Sequence, residues 1–270
     1  MSAVPFKRQR RLEDEHDNAP MPEACPSREA RWQRIVDGKT QVQERLVNET
    51  LEAFGSADTG ESKTHGLFMP CGTGKTRTAL RITQKLYEKK KANGQPFTVV
   101  FLVPTLELVR QTCLAWTEVL LQERTALPRF VFVCNDGDAS KLKDGVASKL
   151  ASPCRNQLSV DCHSAASLYG DGSDWLAAVR ARSVPGFASD SLTVVICMYQ
   201  SVVKLGSATA SLIIHDEAHL RPSLKYAQKA IEQRVSAPFR LMMTGTPNVA
   251  CNRVGHERTT TFAGKKIKII

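Results

Sequence analysis

Short apolar runs alternate with stretches of helical period along most of the chain. The runs are "HGLFMP" (65–70), "FTVVFLVP" (97–104), "FVFVC" (130–134), "LTVVICM" (192–198), "SLIIHDE" (211–217) and "FRLMMTG" (239–245). They are near-continuous rather than alternating, as expected of strands buried on both faces. Between the first two runs, "KTRTALRITQKLYEKKKANG" puts Ala79, Ile82 and Leu86 on one helical face, and Gly94 closes it. Further helices are predicted from Thr105 to about Leu121 and from about Ser223 to Arg234. Strands alternating with helices predict a three-layer α/β/α fold around a mainly parallel sheet.

The flanks differ. Residues 1–25 are polar and aperiodic, which predicts a disordered tail. Ser27–Phe54 has a helical pattern in which Gly38 is a candidate break, and 55–64 is a polar loop. Residues 135–190 are rich in Gly, Asp and Ser, with one helix expected near "DWLAAVRARS" (174–183). The organisation expected is a tail to residue 25, a domain over 26–250 and a basic tail over 251–270.

The first run leads into "MPCGTGKT" (69–76), and a helix follows. That is the placement a phosphate-binding loop needs. Gly72 and Gly74 allow a tight turn, and with Thr73 they aim backbone N–H groups at phosphates in front of a helix N-terminus. Lys75 would reach the β- and γ-phosphates of ATP, and Thr76 would offer its hydroxyl to Mg2+. Met69 stands where the strict pattern has its first glycine.

"SLIIHDEAHL" (211–220) poses a choice, because His215 and His219 are spaced as a helical zinc pair. The zinc-protease pattern H-E-x-x-H needs glutamate directly after the first histidine, and Asp216 stands there instead. "SLII" is also a strand run. A strand ending in Asp-Glu suits a nucleotide site: Asp216 holds Mg2+, and Glu217 polarises the water that attacks the γ-phosphorus.

The formal charge of +10 adds a polyanionic partner, nucleic acid above all, with a merely basic soluble protein as the alternative. Eight cysteines without a C-x-x-C pair argue for an intracellular protein with reduced thiols. No apolar run reaches the ~18 residues of a membrane span. "KRQRR" (7–11) is a candidate nuclear import signal or a disordered basic arm.

With "MPCGTGKT" and "DEAH" (216–219) both present, the chain resembles superfamily-two helicases, the type I and type III restriction-type DEAD/DEAH group in particular. The resemblance runs from about Gln43 to Pro247. "FLVPTLELVRQT" (101–112) is similar to motif Ia, "VVICMYQSV" (194–202) to the T-Y-Q-S segment and "RLMMTGTP" (240–247) to motif III. Both of the first two touch the nucleic-acid backbone in the family. The resemblance therefore implies contacts at Thr105, Gln111, Gln200 and Ser201, with Arg110 supplying charge. It implies coupling of hydrolysis to strand binding by His219, Thr244 and Thr246, and adenine recognition by Gln43, with Gln41 competing. The restriction-type resemblance favours DNA over RNA.

The family also has a second recombinase-like lobe that supplies arginines to the transition state. Only residues 248–270 follow Pro247, too few for a domain of ~100 residues, and no Q-x-x-G-R-x-x-R segment is present. The expectation is the first lobe of a helicase or translocase, whether fragment, truncated product or subunit, completed by another domain or chain. The alternative is a module that binds ATP and nucleic acid without turnover.

Overall fold

The structure, a computed structural model, describes residues 28–55, 62–134, 141, 144–146, 148–149, 160–164, 192–204, 208–218, 235–245, 259–262 and 265–268. The expected tail over 1–25 and the helices near 174–183 and 223–234 lie outside the described residues. The chain divides into two compact units, Met1–Gly38 and Lys39–Ile270.

Helix α1 is Arg28–Phe54, β1 Lys63–Phe68, α2 Lys75–Lys91, β2 Thr98–Val103, α3 Leu106–Gln122 and β3 Arg129–Cys134. Strand β4 is Val160–Ser164, β5 Thr193–Met198, β6 Ala208–Thr209, β7 Leu212–His215, β8 Val235–Ser236, β9 Phe239–Thr244, β10 Thr259–Phe262 and β11 Lys265–Lys268. A 3-10 turn, Tyr199–Lys204, follows β5. Seven strands form one sheet in the order β1-β9-β7-β2-β5-β3-β4, and every pairing in it is parallel. The α/β class with a parallel sheet is as the apolar runs predict.

Alternation along single strands explains why those runs are continuous. In β2, Val99, Phe101 and Val103 enter the core that Phe54, Ala79, Ile82 and Trp116 fill on the helical side. Val100 and Leu102 enter a second core on the opposite face, with Tyr199, Val202 and Val235. β5 and β7 divide their residues in the same way. A strand covered on both faces has no solvent side, so no polar residue interrupts it.

Several expectations are corrected. Helix α1 is continuous through Gly38, because one glycine costs only about 1 kcal/mol relative to alanine in a helix. β7 stops at His215, and Asp216 and Glu217 turn out of the sheet. β4, β6 and β8 and the antiparallel β10–β11 hairpin carry none of the apolar signal used for the other strands.

The helices are fixed to the sheet at identifiable points. Gly55, with φ of 54°, ends α1, and Lys63 Nζ donates to Phe54 O at 2.7 Å. Trp116 of α3 is fully buried and meets Phe101 edge-on at 5.5 Å, and its indole N–H donates to Thr76 O of α2 at 3.0 Å. Trp116→Ala should lower folding stability by about 3–5 kcal/mol, the usual cost of deleting a buried aromatic. Trp116→Phe, which keeps the ring contact but loses the donor, should cost about 1–3 kcal/mol. Urea denaturation measures both, and two equal losses would assign the whole effect to the hydrogen bond and contradict the packing role.

Candidate functional site

Three adjacent parallel strands end side by side and set the geometry. β9 lies between β1 and β7, with Phe68 opposite Thr244 and His215 opposite Met242. The segment after β1 is held to β9 by Met69 N–H donating to Thr244 O at 3.1 Å. Thr244 itself is fully buried.

The turn from β1 to α2 uses its glycines as such a loop requires. Gly72 has φ of 77° and Gly74 of 98°, both left-handed. Thr73 closes the turn by donating its N–H and its hydroxyl to Pro70 O, at 3.3 and 2.6 Å. Gly74 caps α2 without a side chain, so an anion can take the first-turn N–H groups in place of one. Lys75 and Thr76 open the helix.

Lys75 Nζ stands 3.4 Å from Glu217 Oε1, and the two side chains are 11% and 26% exposed. Glu217 has φ of 45°, a left-handed backbone that is uncommon outside glycine. Its N–H donates to Asp216 Oδ1 at 3.0 Å. Asp216 is buried; its N–H donates to Leu102 O of β2 at 2.9 Å, and its carbonyl accepts the Tyr199 hydroxyl at 2.9 Å. The structure thus brings Lys75, Asp216 and Glu217 together with the glycine turn.

His215 is the last residue of β7, fully buried, with its ring stacked on Tyr199 at 6.1 Å. A strand-borne, buried histidine does not present a helical zinc pair. His219 and Thr246 lie outside the described residues.

Gln43 of α1 donates to Thr73 O at 2.9 Å, and a Cβ on Gly74 would fall well inside contact distance of its amide. It also lines a cleft of about 400 Å³ between α1 and α2, with Asn48, Arg77, Arg81 and Lys85. Arg81 is held there by Glu123 at 2.5 Å. Gln41 is exposed.

The residues expected to meet a strand lie farther along the same edge of the sheet, after β2 and β5. Thr105 is exposed and caps α3, its hydroxyl accepting Leu108 N–H at 3.3 Å. Arg110 and Gln111 both donate to Glu107. Gln200 is exposed on the 3-10 turn. Ser201 is 2% exposed, a correction: the turn points this side chain inward, away from any ligand at the surface. Gly245 was not singled out in the sequence. A Cβ there would stand 3.0 Å from Lys75 Nζ and 3.1 Å from Cys71 Sγ, so the glycine lets β9 end against the loop. The available signal was a glycine in "TGTP" (244–247), directly after a strand run.

Residues 39–249 match the family described as "Type III restriction enzyme, res subunit". The chain belongs to that family. It carries a helicase-like ATPase domain with the α/β fold of helicase ATPase cores. Among solved structures, 77% of the chain superposes on a nuclease-deletion mutant of the Type ISP restriction-modification enzyme LlaGI in complex with a DNA substrate mimic, at 25% identity and a TM-score of 0.54. The match covers 17% of that protein, so the chain spans less than a fifth of its length. Weaker likenesses are the Type ISP enzyme LlaBIII bound to DNA (18% identity, TM-score 0.48, 86% of this chain and 14% of that one) and the Sulfolobus solfataricus SWI2/SNF2 ATPase core with double-stranded DNA (16%, 0.39, 77% and 31%). No curated protein matches the chain. Among the described residues, no helix is long and apolar enough to cross a membrane.

Two separable costs are expected at Gly74. In Gly74→Ala the left-handed backbone should cost about 1–2 kcal/mol, and crowding of the Gln43 amide should add to it. Adding Gln43→Ala should recover the second part only. Urea midpoints of the single and double variants read this, and a neutral Gly74→Ala would contradict the loop geometry.

Proposed function

We propose that the site binds ATP with Mg2+ and hydrolyses it as the first lobe of a nucleic-acid helicase or translocase, acting on DNA in preference to RNA. The observation that carries this reading is the approach of Lys75 to Glu217, which brings the glycine turn and the carboxylate strand end to one point.

The proposed division of labour follows from charge and position. The turn Gly72–Thr73–Gly74 and the first N–H groups of α2 hold the phosphates, and Lys75 meets the β- and γ-phosphates. Thr76 and Asp216 would supply oxygen donors to Mg2+, a hard cation that prefers such ligands. When bound, the metal neutralises charge on the phosphate oxygens. Glu217 orients the attacking water and accepts its proton.

The pairing of Lys75 with Glu217 has a mechanistic use. The ammonium occupies the carboxylate oxygen that a water would need. Phosphates draw Lys75 away, and Glu217 then turns to the water once the nucleotide is in place. Gln43 is the proposed adenine-reading residue, a role supported by its bond to the loop carbonyl at Thr73. Thr244, Thr246 and His219 are the proposed coupling residues, and Thr105, Arg110, Gln111 and Gln200 the proposed strand contacts. Arginines from a second lobe, in another domain or chain, complete the transition state and supply ~10³–10⁵ in rate in related phosphoryl transfer. Adding a separate second-lobe protein is therefore expected to accelerate turnover.

Lys75→Ala should weaken ATP binding by at least about tenfold, as loss of a charged hydrogen bond implies. Glu217→Gln should bind ATP normally and lose about 10²–10⁴ in turnover, the usual worth of a general base. Fluorescent-nucleotide titration and a multiple-turnover ATPase assay with and without single-stranded DNA measure these. Turnover by Glu217→Gln at the starting rate would remove Glu217 as the base. Tight binding without turnover by the unaltered chain plus a second lobe would favour a non-catalytic module.

A further inference from the structure

The first turn of α3 carries a side-chain cluster that nucleotide chemistry does not use. Arg110 Nε donates to Glu107 Oε2 at 2.9 Å, a second guanidinium N–H of Arg110 donates to Oε1, and Gln111 Nε2 donates to Oε1 at 2.9 Å. The Glu107 side chain is 52% exposed, whereas that of Arg110 is 19% exposed. The two groups expected to meet a strand are thus both held by one carboxylate of their own helix. The Arg110 and Gln111 donors keep the Glu107 carboxyl below its usual range.

A cleft of about 350 Å³ opens beside this cluster, and Lys141, Ser148 and Lys149 line its other side. The fully buried Val146 anchors that wall in the helical-side core. Gly145 is thereby brought against Arg110, where a Cβ would stand 3.4 Å from Arg110 Cδ. Lys141 and Lys149 are exposed. Among the described residues that line the cleft, Arg110, Lys141 and Lys149 are cations and Glu107 is the one carboxylate.

We propose that Glu107 stands in for a nucleic-acid backbone phosphate, holding Arg110 and Gln111 in their binding arrangement until a phosphate displaces it between Lys141 and Lys149. This rests on the nucleic-acid reading above and adds the group that is recognised and the residue that competes for it. A carboxylate and a phosphate present the same pair of acceptor oxygens to a guanidinium fork. The fork is therefore ordered before the strand arrives, and less side-chain freedom is lost on binding. An i,i+3 pair whose carboxylate is half exposed is weak, so a phosphate that also meets two lysines can replace it. Once displaced, Glu107 repels the strand, which keeps the contact reversible.

The test is fluorescence anisotropy of the full chain with labelled single-stranded DNA across a salt series. Thermal melting of each surface variant confirms that it is folded. Glu107→Gln should tighten binding about threefold, within the range of an exposed ion pair. Arg110→Ala should weaken binding, and in that background Glu107→Gln should give no further gain. Lys141→Ala and Lys149→Ala should each reduce the salt slope by about 0.7, the value for one lost phosphate contact on a single strand. An equal gain from Glu107→Gln with and without Arg110 would reduce the effect to general charge, overturning the stand-in while the nucleic-acid reading survives. No binding at low salt by either the unaltered chain or Glu107→Gln would overturn both. If inorganic phosphate at matched ionic strength erased the difference between the two proteins, the site would belong to a free anion and the proposal would fail.

Discussion

The parallel pairing of β1, β9 and β7 is the constraint on which the rest depends. Parallel strands end at the same edge of a sheet, so their loops leave in one direction. Here the ends of three neighbours deliver the glycine turn, Thr244–Gly245 and Asp216–Glu217 to one place. The register is fixed by side chains that fill cores on both faces of the sheet, and a slip of one residue would exchange those faces. The chemistry of the site is thereby protected by the packing of the whole sheet.

The same edge has a second half. Beyond β7 the order continues through β2 and β5, whose ends carry Thr105 and Gln200. Among the bonds that join the halves, two side-chain bonds end at residues of the site. The Tyr199 hydroxyl ties the turn after β5 to the Asp216 carbonyl, and the Trp116 indole ties α3 to Thr76 at the start of α2. A shift of α3 or of the 3-10 turn on a strand therefore bears on residues beside the phosphates. In the proposed cycle these bonds are candidate connections between the strand contacts and the nucleotide.

The parts of this arrangement that were legible in the sequence are those with a local cause. The glycines of "CGTGKT" announce left-handed backbone, and the runs "TVVFLV" and "TVVICM" announce strands covered on both faces. β4 was missed because "VDCHS" is largely polar, which a strand at the edge of the sheet tolerates. The two-residue β6 and β8 are too short to show a period, and the Thr- and Lys-rich hairpin looks like a solvated tail. At the site, the bond from Trp116 to Thr76 spans 40 positions, and the inward turn of Ser201 depends on the 3-10 geometry. Neither leaves a mark in local composition. Gly245 did leave one, a glycine directly after the run "FRLMMT", and its meaning lies in the loop packed against it.

The central claim is that nucleotide phosphates take Lys75 from Glu217 at the ends of β1 and β7. A crystal structure with Mg2+ and a non-hydrolysable ATP analogue tests it most directly. The account predicts phosphates over the Gly72–Thr76 turn, Lys75 moved onto them and the Glu217 carboxylate released. Phosphates bound elsewhere, as among Arg77, Arg81 and Lys85, with Lys75 still paired to Glu217, would contradict it.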